Sequence, residues 1–117
     1  MNIFKKGDVL IGKNTSRGGA YHPIVFISGI DEAPNAVVLT HSNRYSCNIK
    51  LLNSYDKGDS YFVAHLIEKM PEWGPYKKID AFKEEDLNLI KTHISDQTPI
   101  TWAKYEDYIK NGCPEHN

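Results

Sequence analysis

The sequence predicts an α+β domain in which a strongly bent antiparallel β-sheet, or a β-barrel, is followed by C-terminal helices. Three observations predict this class. Short segments rich in β-branched and aromatic residues occupy roughly the first two thirds of the chain. Glycine, proline, asparagine and aspartate separate these segments. Helical periodicity begins only near residue 80, so strands precede helices instead of alternating with them.

The first three predicted strands lie between residues 9 and 42. Residues 9–12 follow a turn at Gly7-Asp8 and read as a short strand, and residues 13–20 read as a flexible loop containing Gly18 and Gly19. Residues 21–29 and 36–42 are nearly continuous apolar strands that we expect to form a hairpin through a turn at 31–35. Such runs indicate burial on both faces, or one face in the core and the other under a helix.

The later strand predictions are shorter. We expect strands over 49–52 and 76–79 and a longer one over 60–67, which follows a turn at 56–59. In the 60–67 segment Tyr61, Val63 and His65 alternate with residues of the opposite face. Residues 70–75 contain two prolines and a glycine, so they are expected to interrupt regular structure.

Two helices are predicted after residue 80. Asp80 is expected to cap the first helix, whose first turn carries the acids of positions 84–86. Leu87, Ile90 and Ile94 form its apolar stripe. The acids belong to this helix start and not to a pair of catalytic carboxylates.

The second helix is predicted to start near Thr98-Pro99, because proline is tolerated in a first turn. Trp102, Tyr105 and Ile109 share one face, which predicts packing against the core. Gly112 is expected to end the helix. We therefore expect a single domain over residues 1–117, with a helical C-terminal extension over about 96–112.

Composition limits the function classes. The chain has 117 residues, with 40% hydrophobic and 25% charged residues, which is typical of one globular domain. The formal net charge of −1 argues against nucleic-acid binding through bulk charge, but it does not exclude a local basic patch. No apolar run approaches the roughly 20 residues that span a bilayer, and residues 1–6 do not resemble a signal peptide.

The two cysteines, Cys47 and Cys113, carry no metal-binding motif. Neither belongs to a C-x-x-C pair, and no histidine accompanies them at a spacing typical of zinc ligands. We therefore expect no zinc site and no other cofactor. Two reduced thiols in a cytoplasmic protein are the favoured interpretation, with a long-range disulfide as the alternative.

Several segments resemble, in order, those of the MazF/PemK-type toxins. The early Gly7-Asp8-Val9, the glycine-rich loop and the strand over 22–28 resemble the opening of that family. The segment over 37–42 looks like the family strand that ends in a Thr-Ser pair. Residues 60–63 and 78–82 resemble its late strand and the approach to a helix, and residues 85–90 fall where the family has its terminal helix. The resemblance covers about residues 4–95.

This resemblance implies an SH3-like β-barrel with helices, often a homodimer in that family, that cleaves single-stranded RNA without a metal ion. It also implies an acidic antitoxin as a protein partner that covers the RNA-binding groove. The catalytic candidates are Arg17, His22, Thr40 and Ser42. The substrate-binding candidates are Gly18, Gly19, His41 and Trp73.

The chemistry assigns these candidates roles. Metal-free cleavage requires a base for the 2′-OH proton, an acid for the leaving 5′-oxygen and donors for the charged phosphorane. His22 and His41 are acid/base candidates because imidazole titrates near neutral pH. Arg17 is a candidate phosphate ligand, Thr40 and Ser42 are hydroxyl donors, and Trp73 is a candidate base-stacking residue.

Structural roles compete with these assignments. Thr40 and Ser42 at a strand end are common turn residues, Arg17 suits a solvated loop, and Trp73 suits a lid over the core. His65 reads as a partly buried strand residue. The family has arginine before its proline where this chain has His22. That difference and the weak net charge favour an alternative function, a catalytically inactive module that binds RNA or a protein partner.

Overall fold

The computed structural model describes residues 3–12, 23–55, 60–68 and 75–114. Within these ranges the chain forms seven strands and two helices in an α+β arrangement, as predicted. The strands are β1 (Asp8–Gly12), β2 (Ile24–Ile30), β3 (Ala33–Thr40), β4 (Asn48–Lys50), β5 (Tyr61–Val63), β6 (Ile67–Glu68) and β7 (Tyr76–Ala81). The helices are α1 (Glu84–Ile94) and α2 (Trp102–Asn111). Neither described helix is long and apolar enough to cross a membrane.

The strands form one antiparallel sheet in the order β4-β5-β3-β2-β1-β7, and β6 also pairs with β3. The order does not close on itself, because within the described residues β4 and β7 are its two ends. Of the two predicted alternatives, the structure is compatible with the bent sheet. Register shifts at Val9/Leu10 and between Phe26 and Ser28 interrupt the pairing of β1 and β2 with their neighbours. Bulges of this kind increase local bend and twist.

The central strands bury both of their faces, because alternate residues enter two separate cores. In β3, Val37 and Leu39 pack in the core that includes Ile90 and Ile94 of α1. Val38 packs in the core that includes Tyr105 of α2. The two helices therefore cover opposite faces of the sheet, which explains the nearly continuous apolar runs of these strands.

The hairpin between β2 and β3 is tighter than predicted. Its turn contains only Asp31 and Glu32, since residues 33–35 already belong to β3. Gly29 has φ 92°, and a Cβ atom there would lie 3.0 Å from the carbonyl oxygen of Ala33. A glycine therefore suits this position, where the two strands approach each other closely.

The predicted strand over 60–67 is wrong as a single element. It breaks after Val63, and the chain then re-pairs as β6 farther along the same edge of β3. The Gln97 side chain fixes this break: its Oε1 accepts from the Leu66 amide at 2.7 Å and its Nε2 donates to the Ala64 carbonyl at 2.9 Å. His65 consequently lies in a bend and not on a strand face.

The first helix starts later than predicted. Its N-cap is Lys83, without a side-chain cap, while Asp80 belongs to β7. Ile90 and Ile94 are buried as predicted, and Leu87 is half-buried. Asp86 is fully buried, in contrast to the exposed Glu84 and Glu85, so it does more than complement the helix dipole.

The second helix has the predicted face and the predicted end. Trp102, Tyr105 and Ile109 all pack in the core that also contains Val38 of β3. The Thr101 side chain caps the helix by accepting from the Lys104 amide at 3.3 Å, so the helix starts after the predicted Thr98-Pro99. The Gly112 amide donates to the Tyr108 carbonyl at the C-terminus.

Candidate functional site

Three chain segments meet at one end of the sheet. Antiparallel pairing places the end of β1 at Gly12 beside the start of β2, since Leu10 pairs with Ile24. The same end of β3 lies next to β2, because the Leu39 amide donates to the Pro23 carbonyl at 2.9 Å. Gly12 and Pro23, which flank residues 13–22, therefore lie at the same end of the sheet as Thr40, with Pro23 next to β3.

Most of the predicted site residues lie outside the described residues. These are Arg17, Gly18, Gly19, His22 and Trp73. The described structure therefore gives the two attachment points of the glycine-rich segment and the positions of Thr40, His41 and Ser42.

The Thr40 and Ser42 hydroxyls organise the turn that follows β3. Thr40 Oγ1 accepts from the Ser42 amide at 3.1 Å, and Ser42 Oγ accepts from the Arg44 amide at 3.1 Å. The Asn48 side chain donates to the Ser42 carbonyl at 3.0 Å. This matches the turn role that competed with catalysis in the sequence. A hydroxyl that accepts such a bond still carries its own donor hydrogen.

His41 lies one residue beyond β3, although the sequence predicted it within that strand. Its side chain is exposed, as is that of Ser42. Arg44 is also exposed and places its guanidinium 5.3 Å from the ring centre of Tyr45. The turn thus adds an arginine stacked on an aromatic ring to the predicted hydroxyls and imidazole.

A row of side chains that sequence reasoning did not assign extends from Thr40 across the sheet. Tyr61 is the cross-strand partner of Thr40 on one side and of Lys50 on the other. Directly opposed residues share one face of a sheet. Across three neighbouring strands, the row Thr40–Tyr61–Lys50 therefore carries a hydroxyl, an aromatic ring and a cation, in that order. Lys50 is exposed and Tyr61 is half-buried.

A second cluster lies where the end of α2 meets the sheet. We call Cys47, His65 and Cys113 the Cys–His cluster: one ligand atom from each residue lies within 4.8 Å of the others. Cys113 Sγ and His65 Nε2 are 3.5 Å apart. Cys113 is buried, while the other two side chains are half-buried.

Backbone hydrogen bonds hold the three segments of the cluster together. The Cys47 carbonyl accepts from the Ala64 amide at 2.9 Å, next to His65. The Ser46 amide donates to the Pro114 carbonyl at 2.9 Å, next to Cys113. Each cluster residue is therefore within one residue of a bond that joins its segment to another.

The surroundings of the Cys–His cluster are largely aromatic. The His65 ring stacks on Tyr108, with ring centres 5.1 Å apart and an angle of 6° between the planes. Tyr105 meets the same ring edge-on at 6.4 Å. Burial raises the pKa of Cys47 to about 12, with the adjacent Cys113 contributing, and burial lowers the pKa of His65. Both shifts favour neutral side chains.

The sequence did not reveal this cluster. Its members are 18 and 48 residues apart along the chain, so they form no local motif. The break after Val63, which removes His65 from a strand, was also not visible in the residue pattern. The pairing of all the chain's cysteines with a partly buried histidine emerges only from the fold.

Comparison with known proteins assigns no family. No protein-family model matches the chain, and no curated protein matches it.

Proposed function

We propose that the protein is a MazF/PemK-like endoribonuclease that binds single-stranded RNA at the Thr40 end of the sheet and cleaves it without a metal ion. The observation that carries the proposal is that the end of β1, the start of β2 and the end of β3 lie together at this end of the sheet. Gly12 and Pro23, which flank the segment that contains Arg17 and His22, lie at the same end of the sheet as Thr40. The ordered segment resemblance to the toxin family adds the expectation of cleavage.

The row Thr40–Tyr61–Lys50 supports the RNA-binding part of the proposal. Single-stranded RNA is held by aromatic rings that stack on bases and by cations near phosphates. Tyr61 offers a ring between a hydroxyl and a lysine on one sheet face. Arg44 on Tyr45 adds a second cation at the adjoining turn. A net charge of −1 is compatible with such a local site, since binding here uses a few placed groups.

The proposed reaction is intramolecular transesterification. The ribose 2′-oxygen attacks phosphorus while a base takes its proton, and the bond from phosphorus to the 5′-oxygen breaks as an acid protonates the leaving oxygen. His22 serves as the acid or base in this proposal, and Arg17 binds the phosphate. The Thr40 and Ser42 hydroxyls donate to its oxygens. The products are a 2′,3′-cyclic phosphate and a 5′-hydroxyl.

The test is incubation of the purified protein with a long RNA in EDTA, with the fragment ends identified chemically. We expect discrete fragments with 2′,3′-cyclic phosphate ends, and loss of cleavage in His22→Ala. His93→Ala is the matched control, because His93 is exposed on α1. Circular dichroism in the same buffer must show folded protein. Folded wild-type protein that leaves the RNA intact would reject the nuclease.

A second candidate, an RNA-binding module without turnover, is favoured by a separate observation. The Thr40 and Ser42 oxygens already accept backbone bonds within their own turn, which gives both residues a structural role. Fluorescence anisotropy with a labelled single-stranded RNA separates the two candidates. We expect Tyr61→Ala to weaken binding about tenfold, because stacking on one base contributes roughly 1–3 kcal/mol.

Tyr61→Phe is the matched variant for this measurement because it keeps the aromatic ring. It should bind as the wild type does if stacking is the interaction. Binding without cleavage would select the module, and cleavage would select the enzyme. Equal affinity of wild type and Tyr61→Ala would remove the sheet row from either site.

A further inference from the structure

We propose that Cys47, His65 and Cys113 bind one Zn²⁺ ion, which links the end of α2 to the sheet. The proposal does not rest on the proposed function, because it uses a different set of residues. It also revises the sequence-based expectation of no zinc site, which considered spacing along the chain alone.

The distances in the Cys–His cluster suit this ion. Tetrahedral zinc with bonds of about 2.3 Å to sulfur and about 2.0 Å to nitrogen separates a sulfur from a nitrogen by about 3.5 Å and two sulfurs by about 3.8 Å. Cys113 Sγ and His65 Nε2 are 3.5 Å apart. With every ligand pair within 4.8 Å, the largest contraction that zinc requires is about 1.3 Å.

The donor types also suit zinc. Thiolate and imidazole are the ligands that zinc prefers, and they do not suit calcium or magnesium. Two thiolates, a neutral imidazole and a divalent cation have no net charge. Such a neutral set is compatible with the burial of Cys113 and the half-buried positions of Cys47 and His65.

The three segments are held in place by the protein itself. The Cys47 carbonyl is bonded to the Ala64 amide, and the Ser46 amide to the Pro114 carbonyl. The His65 ring is stacked on Tyr108. A site whose ligands are positioned by backbone bonds and ring packing requires little rearrangement to bind its ion.

Three protein ligands leave a fourth position, which a water molecule fills in this proposal. His116 follows Cys113 by three residues in the sequence but lies outside the described residues, so the proposed ligand set does not use it. The ion joins positions 47, 65 and 113, and we therefore expect its main effect to be on the attachment of α2.

A disulfide between Cys47 and Cys113 is the competing use of the two sulfurs. The structure has both cysteines as free thiols. The placement of His65 Nε2 beside Cys113 Sγ favours the metal, because a disulfide makes no use of the imidazole. The experiment distinguishes the two by working with protein reduced and freed of metal.

The direct test is titration of the reduced, metal-free wild-type protein with Co²⁺, followed by displacement with Zn²⁺. We expect absorption from thiolate-to-cobalt charge transfer that saturates at one ion per chain, and its loss on addition of one equivalent of Zn²⁺. This measurement needs no variant and so does not depend on variant folding. No charge-transfer absorption, or a Cys47–Cys113 disulfide that re-forms in place of metal uptake, would overturn the proposal.

Variants then assign the ligands. Cys47→Ser, Cys113→Ser and His65→Ala should each lose stoichiometric zinc binding, measured by metal analysis after dialysis against equimolar Zn²⁺. His93→Ala is the matched control, since it removes an exposed histidine outside the cluster and should retain one zinc per chain. EDTA should lower the melting temperature of wild type and His93→Ala but not of folded Cys47→Ser. Retention of one zinc per chain by Cys47→Ser would contradict the proposed ligand set.

Discussion

The two helices cover opposite faces of the same sheet but are attached to it by different chemistry. On one face, α1 contributes Ile90 and Ile94 to the core, and its Asp86 carboxylate accepts hydrogen bonds from residues 52–55. On the other face, α2 contributes aromatic residues and is followed by Cys113 of the Cys–His cluster. The α1 attachment is complete within the chain, whereas the proposed ion would add a further link between the sheet and the residues that follow α2.

This difference has a simple consequence for stability. The hydrogen bonds to Asp86 form whenever the chain folds, so the stability of the α1 face should not depend on metal ions or chelators. A bound ion stabilises the folded state in proportion to the logarithm of its concentration relative to its dissociation constant. We therefore expect the α2 face to be stable in zinc and weaker after chelation.

The largest expected effect is the loss of the Asp86 carboxylate. It is fully buried and accepts from the Leu52 amide at 2.7 Å, the Asn53 side chain at 2.9 Å and the Tyr55 hydroxyl at 2.7 Å. Asp86→Ala leaves these donors without a partner, and we expect a loss of about 3–5 kcal/mol in the free energy of unfolding. Urea denaturation measures this loss.

Glu84→Ala is the control for that measurement, because Glu84 is an exposed acid in the same helical turn. Its loss should cost no more than about 1 kcal/mol, the usual effect of a charge near a helix N-terminus. If Asp86→Ala were no more destabilising than Glu84→Ala, the Asp86 bonds would not be the attachment of α1. Zinc binding should be unchanged in both variants.

The next largest effect concerns the N-termini of the two helices, which differ in their capping. The Thr101 side chain caps α2, whereas Lys83 at the start of α1 provides no side-chain cap. Thr101→Ala should lower the free energy of unfolding by about 1 kcal/mol, and Lys83→Ser should raise it by up to about 1 kcal/mol. Thr98→Ala, an exposed threonine three residues earlier, should change little.

A lower free energy of unfolding in Thr101→Ala and a higher one in Lys83→Ser, measured in one denaturation series, would confirm that only α2 has a side-chain cap. Equal effects of Thr101→Ala and Thr98→Ala would show that the Lys104 amide does not depend on the Thr101 hydroxyl. A Lys83→Ser variant less stable than wild type would show that the lysine side chain contributes more than a new cap.

The smallest effect is a pH dependence on the α1 face. Burial raises the pKa of Tyr55 above its usual value of 10.0, and the adjacent Asp86 carboxylate contributes to the shift. The unfolded chain therefore loses this proton at a lower pH than the folded protein does. The stabilisation is fully present below pH 10 and declines as pH rises above that value.

Urea denaturation between pH 8 and pH 11 checks this expectation. The free energy of unfolding should decline above pH 10 more steeply in wild type than in Tyr55→Phe, which lacks the ionising hydroxyl. Because Tyr55→Phe also removes one bond to Asp86, it should start from a lower stability. Parallel curves for the two proteins would exclude Tyr55 as the source of the pH dependence.

Much of the fold was predictable because it depends on local patterns. The apolar runs of β2 and β3 indicated burial on both faces, and the Trp102, Tyr105 and Ile109 spacing gave the buried face of α2. Asp80 was misassigned as a cap because an acid before a helix and an acid in an edge strand look alike in sequence. The break after Val63 depends on the Gln97 side chain, which is distant in sequence.

The candidate sites were less predictable because they depend on contacts that the local residue pattern does not encode. Thr40 and Ser42 were identified by type and position, but their bonds within the turn depend on the backbone path after β3. Tyr61 and Lys50 become partners only through strand pairing. The Cys–His cluster joins three segments from different parts of the chain, so no spacing rule detects it.

The edge strand β7 affects how molecules of this protein meet each other. It ends the described sheet and carries Lys77, Lys78 and Asp80 among its six residues. An uncovered strand edge invites another strand to pair with it, and charged side chains, lysine above all, oppose that pairing. The lysines of β7 should therefore limit edge-to-edge pairing between molecules and fibre formation, which protects the protein from aggregation at high concentration.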